Sequence, residues 1–237
     1  MKRFRGQTVV VTGASSGIGR AVALALQEEE ASLILIGRDE NRLSEVAAAC
    51  RPDTSVVSCK LDLARSFEEL PPSLRDRGVD ILVHCAGRLV IDEMISARLD
   101  DFDLQMGVNV RGPWMLSRLL LPQLIEARGQ IVFVNSSIAQ HSARAGHGAY
   151  AASKVALRAI ADSLREEVNA LGVRVTSVYP GRTATSMQEN LHAQEGRDYR
   201  PERLLQPEDL ASIILHVLTL PETAEVRDVS VRPFMKT

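Results

Sequence analysis

Aromatic residues are scarce, at 4% of the 237 residues with a single tryptophan, and give no sign of a stacking site. Cysteine is scarcer still. Cys50, Cys59 and Cys85 are odd in number and widely spaced, which is no disulfide framework. His84 adjoins Cys85, but without a CxxC or HxxxH spacing to accompany it no metal site is expected. Charge of one sign is lacking too. A net charge of -2 offers no electrostatic case for nucleic acid or for an anionic membrane. Long apolar runs are missing as well. The N-terminus is short, basic and polar, and Val9-Val10-Val11 is too short for a signal-peptide core or a membrane span. The cytosol is the expected compartment.

What is present is a chain 45% hydrophobic, long enough for one sizeable core, and a single domain over 1–237 is expected. Short runs rich in Val and Ile recur at Thr8–Thr12, Ser32–Ile36, Ser55–Cys59, Asp80–His84, Gln130–Asn135 and Val173–Tyr179. They are apolar almost throughout rather than alternating, as parallel strands covered on both faces are. Glu225–Arg232 is a candidate edge strand. Between the runs lie helical stripes such as Ile18, Val22, Ala25 and Leu26, or Leu116, Leu119, Leu120 and Leu124. Strand–helix alternation from end to end predicts an α/β fold: a Rossmann-type, doubly wound, mainly parallel sheet of about seven strands with helices on both faces. Two stretches break the rhythm. Ala139–Gly148 is a loop rich in Ala, Gly and His, and Arg182–Gln206 is a long polar segment before the helix that Pro207-Glu208-Asp209 starts. A segment of the second kind is expected to be a substrate lid near 182–206.

Thr12-Gly13-Ala14-Ser15-Ser16-Gly17-Ile18-Gly19 follows the first strand and opens a helix. Glycines there allow a tight turn and close approach of a pyrophosphate, and the helix N-terminus offers amides and a positive dipole end. The spacing departs from Gly-x-Gly-x-x-Gly. The same residues also match Gly-x-Ser-x-Gly, the nucleophile elbow of hydrolases. That reading of Ser15 is discounted, because one strand alone precedes it and no acid and histidine follow in a convincing arrangement. The second strand ends Leu35-Ile36-Gly37-Arg38. A guanidinium at that point suits an adenosine 2′-phosphate, so NADP(H) is expected before NAD(H). Asp39 is adjacent and would favour a plain ribose hydroxyl.

Tyr150 and Lys154 lie four apart at the start of a helix, on one face. A nearby ammonium is expected to lower the tyrosine pKa, making the pair an acid/base for an alcohol or a developing alkoxide. With the glycine loop, these residues resemble the short-chain dehydrogenase/reductase family over nearly the whole chain. Tyr150 and Lys154 match its Tyr-x-x-x-Lys. Ser137 stands thirteen residues before Tyr150, the family's usual spacing. Asn109 in Val108-Asn109-Val110 matches its tetrad asparagine, and Asp62 an acid that contacts adenine. Pro180-Gly181 with Thr185 is similar to the segment beside the nicotinamide carboxamide.

The resemblance implies an oxidoreductase that interconverts a carbonyl and an alcohol on a small molecule. Ser137 would bind the substrate oxygen, Tyr150 act as acid/base, Lys154 grip the nicotinamide ribose, and Asn109 hold a water behind it. Ser136 would support the strand end. Cofactor contacts are expected from Gly13, Ser15, Ser16, Gly17, Ile18, Gly19, Arg38, Asp62, Leu63, Ala86, Gly87, Pro180, Gly181, Thr183 and Thr185, besides Tyr150 and Lys154. The family's Asn-Asn-Ala-Gly becomes His84-Cys85-Ala86-Gly87 here, with His84 expected to be packed rather than catalytic. His141, His147 and Met187 are expected to line the pocket. Arg182, Arg197, Arg200 and Arg203 are expected on a solvated lid face rather than as an anion site. A homodimer or homotetramer through helices 109–128 and 151–171 is a further expectation from the resemblance. A binding protein for NADP(H) without turnover is the rival reading, and presence of both Tyr150 and Lys154 disfavours it.

Overall fold

The computed structural model describes residues 2–141 and 144–235. Seven parallel strands form one sheet: β1 (Thr8–Thr12), β2 (Ser32–Gly37), β3 (Val56–Lys60), β4 (Ile81–His84), β5 (Gln130–Val134), β6 (Arg174–Pro180) and β7 (Asp228–Val231), in the spatial order β3-β2-β1-β4-β5-β6-β7. The chain builds outward from β1 to one edge and then returns to β4 on its other side. A crevice therefore opens beyond the carboxyl ends of β1 and β4, where the winding reverses.

Residues of successive parity along each strand enter different cores. Val9 and Val11 of β1 join Leu33, Leu35, Ile81 and Val83 in one, while Val10 joins Ile34, Ile36 and Leu82 in the other. Both faces are thus covered, which is why these strands are apolar throughout. On the first face lie α1 (Gly17–Glu28), α2 (Glu40–Ala48) and α8 (Pro207–Leu218), with Ala21, Val22 and Leu26 of α1 meeting Leu210, Ala211 and Ile214 of α8. Pro207 opens α8, and the Asp209 carboxylate accepts the Gln206 N–H at 2.8 Å, capping it. The second face carries α3 (Pro72–Arg75), α5 (Gly112–Glu126) and α6 (Gly148–Val168), joined to it through Leu74, Leu116, Leu120, Leu124, Leu157 and Ala161.

Between α4 (Leu99–Met106) and α5 the helix widens into a π turn over Gly107–Arg111. The cause is close backbone packing. A Cβ on Gly107 would lie 2.9 Å from the Ala64 carbonyl oxygen, and one on Gly112 2.7 Å from that of Leu63. The widened turn rests on the loop after β3 and turns Asn109 inward to full burial. Such turns recur where a helix must aim a side chain at a site.

The 182–206 segment is more ordered than its polar sequence predicts. It contains α7 (Ser186–Gln194) and a short 3₁₀ turn at Pro201–Arg203. Its helix buries Leu191 and His192 alone, so no apolar stripe announces it. Among the described residues no helix is long and apolar enough to cross a membrane.

Candidate active site

The reversal crevice begins with a glycine cradle. Thr12 at the end of β1 accepts, through its hydroxyl, the N–H groups of Cys85 and Ala86 at 3.1 Å each, clamping the ends of β1 and β4 together. Gly13 has φ +64, and a Cβ there would stand 2.8 Å from the Ala86 backbone. A Cβ on Gly19 would stand 2.3 Å from the Gly13 carbonyl oxygen. Ser16 caps α1 without a side-chain hydrogen bond, so the first amides of the helix are left to a ligand. A cavity of about 220 Å³ lies against this cradle, walled by Gly13, Ser15, Ser16, Gly17, Ile18 and Gly19 on one side and by Leu63, Ala86 and Gly87 on the other. Its shape and its uncapped amides fit a dinucleotide pyrophosphate.

Arg38 lines the same cavity and has no ion-pair partner among the described residues. Asp39 is occupied elsewhere. One of its oxygens accepts the Arg42 N–H at 3.1 Å as the cap of α2, and the other lies 3.7 Å from the Arg42 guanidinium. Asp62 also borders the cavity, while its carboxylate accepts the Ala64 N–H at 3.1 Å and pairs with Arg65 at 3.6 Å.

A second cavity of about 420 Å³ adjoins the first and shares Ile18, Cys85, Gly87, Thr185 and Met187 with it. Ser136, Ser137, Tyr150 and Lys154 face it, together with Pro180, Gly181 and Thr183 from the end of β6. His141, His147 and Met187 line it as expected. Tyr150 and Lys154 project from the first turns of α6, with the ammonium 5.9 Å from the phenol ring centre. Burial lowers the Lys154 pKa to about 8, and its Nζ donates to the Val134 carbonyl at 3.3 Å. Burial likewise raises the Tyr150 pKa, and a hydrogen bond with the Ser136 hydroxyl offsets part of that rise. Burial is thus the larger influence on the phenol, and Lys154 is not among the causes of its shift.

Beside the expected Ser137 stands a second hydroxyl, Ser136, which offsets part of the rise in the Tyr150 pKa, and both serines line the cavity. Ser136 has extended backbone, with φ -163, and caps the 3₁₀ turn Ser137–Gln140, its oxygen accepting from the Ile138 N–H at 3.4 Å. Ser137 is the first residue of that turn and lines the same cavity as Tyr150.

Asn109 is fully buried in the π turn. Its amide oxygen accepts the Arg88 N–H at 2.8 Å, and its Nδ2 donates to the Arg88 carbonyl at 2.8 Å and to Ser153 Oγ at 2.9 Å. Ser153 in turn donates to the Tyr150 carbonyl at 2.7 Å. The π turn thereby ties the loop after β4 to the turn of α6 that carries Tyr150. His84 stacks on Phe133 at 4.8 Å, bonds Ser117 Oγ at 2.8 Å, and is held neutral by burial that lowers its pKa to about 3. Burial pushes the Cys85 thiol up to about 12, so it is no thiolate nucleophile. Among the described residues no group of three or more His, Cys, Asp or Glu could hold a metal.

The solvated lid face is not what the structure shows for Arg182. Its side chain is 15% exposed and its Nη2 donates to both oxygens of Glu195, at 2.9 and 2.7 Å. Arg197 pairs with Glu195 at 3.6 Å and Arg200 with Asp198 at 3.4 Å. Glu195 escaped the sequence reading, as did α7 itself. Thr185-Ser186-Met187-Gln188 carried the signal, since a threonine followed three residues later by glutamine is a capping pattern, and Thr185 Oγ1 does accept the Gln188 N–H at 3.3 Å.

Comparison with known proteins agrees with this geometry. Residues 7–196 match the short chain dehydrogenase family. An uncharacterized oxidoreductase of Staphylococcus epidermidis is 30% identical over 235 residues, spanning 98% of this chain and 100% of that protein. The structure of an Escherichia coli CFT073 chain complexed with NADPH is 28% identical, with a TM-score of 0.86 over 97% of this chain and 98% of that one. The short chain dehydrogenase of Shigella flexneri is also 28% identical, with a TM-score of 0.85 over 97% and 92% of the two chains. The chain belongs to the short-chain dehydrogenase/reductase family and is an NAD(P)-dependent oxidoreductase.

Proposed function

We propose that the protein reduces a carbonyl group of a small molecule to an alcohol with NADPH, with Tyr150 as the proton donor. The observation that carries this reading is that Tyr150, Lys154 and Ser136 face one cavity that adjoins the glycine cradle, with the Lys154 ammonium 5.9 Å from the phenol ring centre. A carbonyl oxygen seated between Ser136 and Tyr150 would accept both hydroxyl protons as hydrogen bonds. As the oxygen gains charge, the Tyr150 proton passes to it, and the Lys154 ammonium balances the phenolate left behind. The nicotinamide, when bound, supplies hydride to the carbonyl carbon. Asn109, through Ser153 and the Tyr150 carbonyl, fixes the helical turn on which the phenol sits. Preference for NADP(H) is supported by Arg38, which has no ion-pair partner among the described residues and borders the cavity, while Asp39 is already committed to its helix. The NADPH in the E. coli CFT073 structure points the same way.

The same reading takes 1–237 as one cytosolic unit with 182–206 as its substrate lid. Trp114 and Val155 stand about half exposed on α5 and α6, which supports a homo-oligomer through those helices.

The direct test is Tyr150→Phe, assayed against a panel of ketones, aldehydes and quinones. Turnover should fall by about 10²–10⁴-fold with NADPH affinity unchanged. Normal turnover in that variant would remove Tyr150 from the acid role. The two serines separate in the same assay. Ser136→Ala should cost about 10²-fold in kcat, as loss of one oxyanion donor does, while Ser137→Ala stays near the parent. The reverse ranking would restore the spacing argument.

A pH profile checks the lysine. With its pKa lowered to about 8, Lys154 is a cation below that pH and neutral above it. The reduction rate should hold below pH 8 and decline as pH rises through it, because the ammonium opposite the forming phenolate is lost. Lys154→Arg, always charged, should lack that decline. A parent profile flat through pH 8 contradicts the assignment.

A further inference from the structure

One partly buried carboxylate beside the substrate cavity takes no part in the proton chemistry, yet two arginines and a histidine converge on it. Glu195 follows α7 and is 14% exposed. Arg182, just beyond β6, donates to both of its oxygens. Arg197 lies 3.6 Å away on the solvent side, and His147 Nε2 3.8 Å away on the α6 side. Arg182 also reaches His192 Nε2 at 3.2 Å, and His192 Nδ1 lies 2.8 Å from the Gln188 carbonyl oxygen, so α7 is gripped in its middle as well as at its end. Burial alone would raise the Glu195 pKa, but Arg182, Arg197 and His147 together hold it below the usual carboxylate range.

His147 is the residue that precedes α6. Its carbonyl accepts the Ala151 N–H at 2.8 Å, closing the helical turn that contains Tyr150, and its Nδ1 lies 3.0 Å from the Ala145 carbonyl oxygen. On the other side of Glu195, α7 supplies Met187, Gln188 and Leu191 to the cavity wall. Glu195 therefore touches both the wall that would hold a substrate and the turn that aims the phenol. A pair shielded on both sides is not a solvent-screened surface bridge, and removing the carboxylate strands Arg182 without its counter-charge.

We propose that Glu195 is a positioning residue whose carboxylate locks α7 against the first turn of α6, so that the substrate wall and Tyr150 are set in place together. The proposal rests on Tyr150 as the proton donor for its kinetic consequence, but not for its structural one. It goes beyond a local lid contact in requiring two distant segments to loosen when one charge is lost.

The test is hydrogen exchange on the full-length protein, with and without NADPH, alongside steady-state kinetics, for Glu195→Gln, Glu195→Asp and Arg197→Gln. Glu195→Gln should speed amide exchange in both 186–196 and 147–152, and should lower kcat and raise KM together, by about tenfold each, as changes at a closing element do. NADPH protection of residues 13–19 should persist, which shows that the variant is folded. Glu195→Asp should recover part of both effects. Arg197→Gln, which removes one contact from the solvent side and leaves the Arg182 pair in place, should change both readouts less than Glu195→Gln does. Faster exchange confined to 186–196 with kcat unchanged would overturn the proposal, as would unchanged exchange in both segments. Loosening of both segments in Glu195→Gln, found together with normal turnover in Tyr150→Phe, would uphold the latch and defeat the acid assignment instead.

Discussion

Everything at the site depends on how closely the turn after β1 lies against the end of β4. Gly13 and Gly19 have no room for a side chain, because a Cβ on either would strike the Ala86 backbone or the Gly13 carbonyl. Thr12 seals the approach by accepting two N–H groups from the β4 side. This contact sits where the winding of the sheet reverses, so it also decides where the crevice opens. Put a methyl group at either glycine and α1 must move away, taking its uncapped amides with it. Cofactor binding is thus a consequence of backbone proximity more than of any one side chain.

The proton-transfer group hangs from a second constraint, the π turn at Gly107–Arg111. It turns Asn109 inward, and Asn109 pins Arg88 and Ser153, which in turn holds the Tyr150 carbonyl. Electrostatics then follow from burial. Lys154 loses part of its hold on its proton, and Tyr150 tightens its own. Both shifts favour the neutral forms.

Much of this was legible in the residues. Fully apolar β-branched runs meant strands covered on both faces, and each of the first six runs is a strand of the sheet, with ends that differ by at most one residue. Even the departure His84-Cys85 read correctly as scaffold, since His84 stacks on Phe133 and ties to Ser117. Distance along the chain singles out Ser137, but the fold brings Ser136 to the same cavity, a neighbour that spacing does not reveal. Glu195 was illegible for another reason. Its partners at 147 and 182 share no periodicity with it and meet it only in three dimensions. A carboxylate followed by arginines in a polar stretch reads as solvated surface until the fold encloses it.

The central claim, that the cleft is a site for a phosphorylated dinucleotide set beside a donor phenol, is tested most directly by calorimetric titration of the unmodified protein with NADPH and with NADH. The account predicts saturable one-site binding of NADPH at least about tenfold tighter than that of NADH, a difference of roughly 1.4 kcal/mol that a guanidinium on the 2′-phosphate would supply. Equal affinities, or tighter NADH, would contradict the role given to Arg38. Binding of neither would contradict the cradle itself.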